Sequence, residues 1–322
     1  MSGFVRWLRQ PSRLLRRRNL LVAGVAALAG LLIYSYLMSR YTFGKGPDLA
    51  SYAVFPTLGP SDRVTVVSPH TDDETIGIGG MIASLRRQGV PVSVIFMTCG
   101  DDNPIGADLA SGVGYPSPGQ LVSSGVQRQQ EARAALAELG VDRSSILFLG
   151  LRDRGLREIA LPAHLNAAYR SPGTLAQSSP YPDSFQPNLA YTGSAARDAL
   201  RRAIAQTNPT FVLTTPPEDT HTDHSATGEM VRDIMPKVTG SPSLFYFLVH
   251  YPGFPRGKGG DLSPLQPPKR LASRPWQVVE LQPADIAAKR QAILRYASQL
   301  RVPFLGRLMR GMVRKNELLL PD

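Results

Sequence analysis

From residue 63 onward, short apolar runs alternate with longer segments of helical spacing, and this alternation restricts the fold more than any other feature. The runs "RVTVVS" (63–68), "PVSVIFMTC" (91–99), "ILFLGL" (146–151), "TFVLTT" (210–215), "LFYFLVHY" (244–251) and "WQVVEL" (276–281) are strand-length and rich in β-branched and aromatic residues. Between them, residues 77–89, 123–140, 194–207, 225–236 and 283–300 carry helical periodicity, and Gly89 and Gly140 stand where C-terminal caps belong. Strands that alternate with helices of this length predict βαβ units: an α/β fold with a three-layer, mostly parallel sheet. Such sheets take their ligands beyond the carboxyl ends of the strands.

The charge is distributed unevenly. The net charge is +11, yet residues 1–47 hold Arg6, Arg9, Arg13, Arg16, Arg17, Arg18, Arg40 and Lys45 with no Asp or Glu, which leaves +3 for the remainder. The excess is therefore local, and no nucleic-acid-binding motif accompanies it, so nucleic acid is not an expected partner. Residues 19–39 are uncharged and long enough to cross a bilayer, with Tyr34 and Tyr36 near one end. Six arginines precede this stretch and only Arg40 and Lys45 follow it closely. The expectation is a basic cytoplasmic segment (1–18), a single transmembrane helix (19–39), a linker (40–61) and one domain (62–322) on the extracytoplasmic side, with the membrane as a partner. A cleaved signal peptide is the alternative. One cysteine, Cys99, excludes an intrachain disulfide.

Two of the strand ends carry His and carboxylate side chains. "SPHTDDETIG" (68–77) follows the first strand, and "EDTHTDHSATG" (218–228) follows the fourth. His70 with Asp73, and His221 with His224, share a spacing of three, which brings side chains to one side of a turn entering a helix. A catalytic zinc needs about three such ligands and an open position for water, whose pKa the metal lowers toward neutrality. Asp72 diverges from Asp73 and is left to act as a base, and a protonated imidazole can support an oxyanion. Alone, "DDET" is also what a helix N-terminus favours, and "HTDH" could be a surface turn.

These two stretches resemble the motifs of the PIG-L/LmbE-like deacetylases, a family of zinc-dependent N-acetylglucosamine deacetylases. The family's Pro-His-Pro-Asp-Asp-Glu is matched by Pro69 to Glu74, and its His-Pro-Asp-His by His221 to His224, with Thr71 and Thr222 in place of proline. The resemblance implies His70, Asp73 and His224 as metal ligands, Asp72 as general base, and His221 as the group that stabilises the tetrahedral intermediate. It further implies a Rossmann-like sheet and an N-acetylated sugar substrate on a polysaccharide or glycolipid. Weaker similarity at "RQQEARAALAELG" and "LRDRGL" points to Arg128 and Asp153 as substrate-binding residues. His250 ends a strand and is a candidate pocket residue or a core-edge histidine. His and Asp ligands also accept Fe²⁺ or another divalent ion. An amidase acting on a different N-acyl bond, or a carbohydrate-binding protein without catalysis, are the alternatives. Cys99 reads as a small buried hydrophobe and His164 as exposed. The tail 304–315 reads as a packed helix with a solvated basic face or, alternatively, a helix on a membrane surface.

Overall fold

The computed structural model describes residues 47–102, 116–256, 260 and 263–322, together with Ala29, Gly30 and Ile33. The chain divides into two units, Met1–Lys45 and Gly46–Asp322, and the second carries the fold. The uncharged stretch 19–39 lies outside the described residues except for those three, which are helical. Among the described residues, no helix is long and apolar enough to cross a membrane.

Eight strands build one sheet: β1 (Ala53–Val54), β2 (Val64–Ser68), β3 (Val92–Thr98), β4 (Ile146–Leu151), β5 (Phe211–Thr214), β6 (Ser243–Tyr246), β7 (Gln277–Glu280) and β8 (Asn316–Pro321). Their order is β1-β7-β8-β6-β5-β2-β3-β4, and only β8 runs antiparallel to its neighbours. The helices are α1 (Asp73–Arg87), α2 (Pro118–Glu138), α3 (Leu156–Ala160), α4 (Gly193–Thr207), α5 (Thr222–Ile234), α6 (Pro283–Arg295), α7 (Ala297–Leu300) and α8 (Pro303–Gly311). One layer packs α1, α2 and α6 together, and the other packs α3, α4 and α5. β2 is buried at every residue, as a central strand covered on both faces must be. It pairs with β3 on one side and β5 on the other, with Val64 opposite both Val92 and Phe211. The chain steps outward from β2 to β3 and β4, then returns to β5. The carboxyl ends of β2 and β5 therefore flank the point where the winding direction reverses, the usual crevice of such sheets.

Three expectations are corrected. The segment 40–61 is not simply a linker: from Pro47 on it belongs to the domain. β1 pairs with β7, and Phe55 and Leu58 are buried in the core. The strand expected over 244–251 stops at Tyr246, because the N–H groups of Val249 and His250 donate to Asp219 Oδ2 rather than to a ladder. The helix expected over 283–300 is two, α6 and α7, separated at Tyr296. β8 was not anticipated, and it joins the parallel strands β2–β6 to the β7–β1 pair.

β8 also steadies the helix that leaves the site. α1 is kinked at Ile78 (φ −137°, ψ 23°). At the kink, Gly80 and Met81 donate their N–H groups to Glu317 Oε1 (2.9 Å) and Oε2 (2.6 Å). Lys289 Nζ of α6 lies 2.6 Å from Glu317 Oε1, and both side chains are fully buried. Gly77 admits Phe247 at closest approach, since a Cβ there would sit 2.3 Å from the ring. Lys289→Met leaves the Glu317 carboxylate buried without its cation, so a stability loss of about 3–5 kcal/mol is expected in chemical denaturation. A change below about 1 kcal/mol would show that the pair does not hold the kink.

Candidate metal and catalytic site

β2 ends at Ser68, and the chain turns so that α1 begins at Asp73. Asp72, in the N-cap position, has φ 139°, a conformation that side-chain-bearing residues rarely adopt. Its carboxylate makes no cap hydrogen bond; Oδ2 instead accepts from Arg128 Nη2 at 3.1 Å. β5 ends at Thr214, and α5 begins at Thr222 after the cap residue His221. The two turns face each other.

Three donor atoms meet there. His70 Nδ1 lies 3.0 Å from Asp73 Oδ2 and 3.1 Å from His224 Nε2, and His224 Nε2 lies 3.0 Å from Asp73 Oδ2. An equilateral set of nitrogen and carboxylate donors of this size is close to one face of a tetrahedron around a zinc-like ion, whose edge is about 3.3 Å at ordinary bond lengths. The residues therefore fit a divalent metal. Ligand atoms of His221, His250, Asp153 and Asp223 belong to overlapping groups of the same kind.

The surrounding carboxylates fix which nitrogen faces the cluster. His70 Nε2 lies 3.2 Å from Asp153 Oδ1 and 3.3 Å from Asp223 Oδ2, so Nε2 keeps its proton and Nδ1 is the nitrogen that would give up its proton to a metal. Asp223 also accepts N–H bonds from Arg154 (2.6 Å) and Leu156 (3.0 Å), which ties the loop after β4 to α5. Asp219 Oδ1 accepts from His221 N–H, and its Oδ2 lies 3.2 Å from His224 Nδ1 without an aligned hydrogen bond.

The electrostatics follow from this geometry. Burial works against charge on His224, but Asp73 and Asp219 outweigh it and push the imidazole up to about 9. His70 is likewise raised, burial being outweighed by hydrogen bonds to Asp153, Asp223 and Asp73. Asp73 stays well below the usual carboxylate range despite burial, because both imidazoles face it. Burial pushes Asp72 up to about 8, opposed by Arg128 and aided by Asp73. His221 falls to about 3 and His250 to about 4, each through burial first and then repulsion from the neighbouring imidazoles. His221 is therefore a neutral group, where the sequence suggested an imidazolium. Its Nδ1 accepts the N–H of Asp223 at 3.3 Å, which puts the ring proton on Nε2.

All eight residues singled out in the sequence come together here. A pocket of about 150 Å³ is lined by His70, Asp72, Asp73, Arg128, Asp153, His221 and His250. His224 lies beneath it, fully buried. Arg128 and Asp153, expected to hold substrate, already have internal partners. Arg128 donates to Gly100 O (2.9 Å), Thr71 O (2.7 Å) and Asp72, so it clamps the turns after β2 and β3. Gly100 (φ 65°) is required for that clamp, since a Cβ would meet the guanidinium at 1.8 Å. Asp153 holds His70 and accepts the N–H of Asp102. Glu74 is not a surface charge at a helix start. It is fully buried and accepts from Tyr296 Oη (2.7 Å), Thr75 Oγ1 (2.6 Å) and the N–H of Asp72 (3.2 Å). Asp219, Asp223, Tyr181 and Asp101 were not anticipated. Tyr181, from the segment between α3 and α4, donates to the buried Asp101 at 2.7 Å. Cys99 is buried as expected, whereas His164 is half-buried against Tyr169.

The PIG-L family model, described as GlcNAc-PI de-N-acetylase, matches residues 65–235, which is more than half of the chain and contains both histidine motifs. This chain belongs to the PIG-L family. A 1D-myo-inositol 2-acetamido-2-deoxy-alpha-D-glucopyranoside deacetylase from Saccharopolyspora erythraea is 30% identical over 198 residues, 59% of each chain. A Bacillus anthracis relative named "Probable N-acetyl-alpha-D-glucosaminyl L-malate deacetylase 2" is 22% identical over 59% of this chain and 66% of its own length. The matched region thus spans less than two thirds of either relative. The crystal structure of an antimicrobial pseudoaglycone deacetylase superposes with a TM-score of 0.53 at 21% identity, covering 81% of this PIG-L chain and 96% of the other, and supports the fold.

Proposed function

We propose that this PIG-L chain is a zinc-dependent N-deacetylase that removes the acetyl group from an N-acetylated amino sugar carried on a glycolipid or cell-surface polysaccharide. The observation that carries this reading is the convergence of His70 Nδ1, Asp73 Oδ2 and His224 Nε2 beside an unligated, buried Asp72. A divalent ion bound there would supply an activated water and polarise the acetamide carbonyl. Asp72, held by Arg128 and by its strained backbone, takes the water's proton and returns it to the leaving amine. His221 donates its Nε2–H to the carbonyl oxygen as negative charge develops there. Asp153 and Asp223 keep the His70 ring in its ligating orientation. The two relatives named above carry glucosamine on inositol and on malate in their names, which supports an N-acetylated glucosamine and leaves its carrier open. Arginine asymmetry around 19–39 supports a cytoplasmic N-terminus with the domain on the other side.

The test is a panel of N-acetylglucosamine as monosaccharide, lipid-linked sugar and polymer, with acetate and free amine both measured. Equal yields of acetate and amine from one class are expected with zinc-loaded protein. Acetate release from none of them, or only from non-sugar N-acyl substrates, contradicts the reading.

A further inference from the structure

The mouth of the pocket is bordered by α8, which contributes Phe304 and Leu305. Phe304 is 68% exposed, the most exposed large hydrophobic side chain among the described residues. Leu305 and Leu308 lean partly on the core and extend its apolar surface, so the face is a stripe rather than a single ring. Arg301 lies two residues before the helix, Arg307 lies one turn beyond Phe304, and Arg310 follows on the flank; all three are exposed. None of the three has a carboxylate partner among the described residues, and Arg310 reaches only the carbonyl of Gly306. The run 286–316 contains eight Lys and Arg and no Asp or Glu. An exposed apolar ridge flanked by unpaired cations is complementary to one kind of surface: acyl chains beneath anionic headgroups. The sequence adds a tether, since only residues 40–45 separate the uncharged stretch 19–39 from the unit that begins at Gly46.

We propose that this face of α8 docks on an anionic lipid surface, with Phe304 among the acyl chains and Arg301, Arg307 and Arg310 at phosphate level. Docking sets the pocket mouth at headgroup height. An amino sugar linked to a lipid then meets the site without leaving the membrane. What docking delivers rests on the deacetylase reading; the docking itself does not.

The test uses the full chain with Phe304→Cys labelled by an environment-sensitive fluorophore; Cys99, fully buried, does not compete for the label. In vesicles of phosphatidylcholine with phosphatidylglycerol, a salt-sensitive blue shift is expected that phosphatidylcholine alone does not give. In an Arg301→Gln, Arg307→Gln, Arg310→Gln variant, the docking equilibrium should fall on the order of 100-fold. Identical emission in both lipids, or no change in the triple variant, overturns the proposal. So does an equal shift produced by a soluble anionic polysaccharide without vesicles, or by self-association of the protein alone. Acetate release from a soluble N-acetylated amino sugar is measured in parallel, so failure of docking and failure of the deacetylase reading are told apart.

Discussion

Replacing His224 by alanine is expected to leave purified protein without its metal and to lower activity by more than 100-fold. His224 is the only one of the three converging donors that comes from the second strand end, and it is fully buried. Without it, His70 and Asp73 from a single turn remain, and two ligands on one turn do not define a tetrahedral site. Even partners that only orient a ligand are worth roughly 10–100-fold, so losing a ligand exceeds that range. Metal analysis of the variant, which should approach zero where wild type holds about one ion per chain, checks this. The same cluster sets the pH dependence of loading. In the metal-free protein Asp73 and Asp219 hold His224 protonated up to about pH 9, and His70 is also raised. A metal must displace those protons, so affinity should rise with pH through the neutral range toward about 9, where His224 gives up its own. Titration calorimetry in buffers of different ionisation enthalpy should record proton release on binding at neutral pH. An affinity independent of pH in this window would mean that His224 is not a ligand.

Asp72→Asn is the second large effect, and its signature is the reverse: metal content is retained while turnover falls roughly 10²–10⁴-fold, the usual worth of a positioned base. Asparagine keeps the volume, tolerates positive φ better than most residues, and still offers an oxygen to Arg128. What it loses is the proton acceptor. Burial holds the Asp72 carboxyl at about 8 in the metal-free site, and a bound cation lowers that value. Activity in wild type should therefore rise with pH as Asp72 ionises, and the Asn variant should lose this limb along with its rate. A variant that binds metal and turns over like wild type would remove Asp72 from the role of base.

The central strands were legible because they are continuous apolar runs, and a strand buried on both faces has no polar alternation to obscure it. The site was legible for a related reason: His and carboxylate pairs at two strand ends have few other uses in one α/β sheet. The limits are equally physical. Asp219 and Asp223 lie within or beside the second motif, but which carboxylate faces inward depends on how the turn closes, and no spacing reveals that. Arg128 and Asp153 were recognised as belonging to the site, while their engagement with Thr71, Gly100 and His70 depends on turns from three separate strands. β8 escaped notice because three leucines after a basic helix are too few for either period, and its place between β6 and β7 is set by non-local pairing. Glu317 looks like an ordinary terminal charge until the kink at Ile78 exposes two N–H groups to it.

The most direct measurement of the central claim is anomalous diffraction at the zinc edge from crystals of the zinc-loaded protein. One strong peak bound by His70 Nδ1, Asp73 Oδ2 and His224 Nε2, with Asp72 outside the coordination sphere, is expected. A peak held by His221 and His250 instead, or one that takes Asp72 as a ligand, would contradict both the metal site and the base assigned beside it.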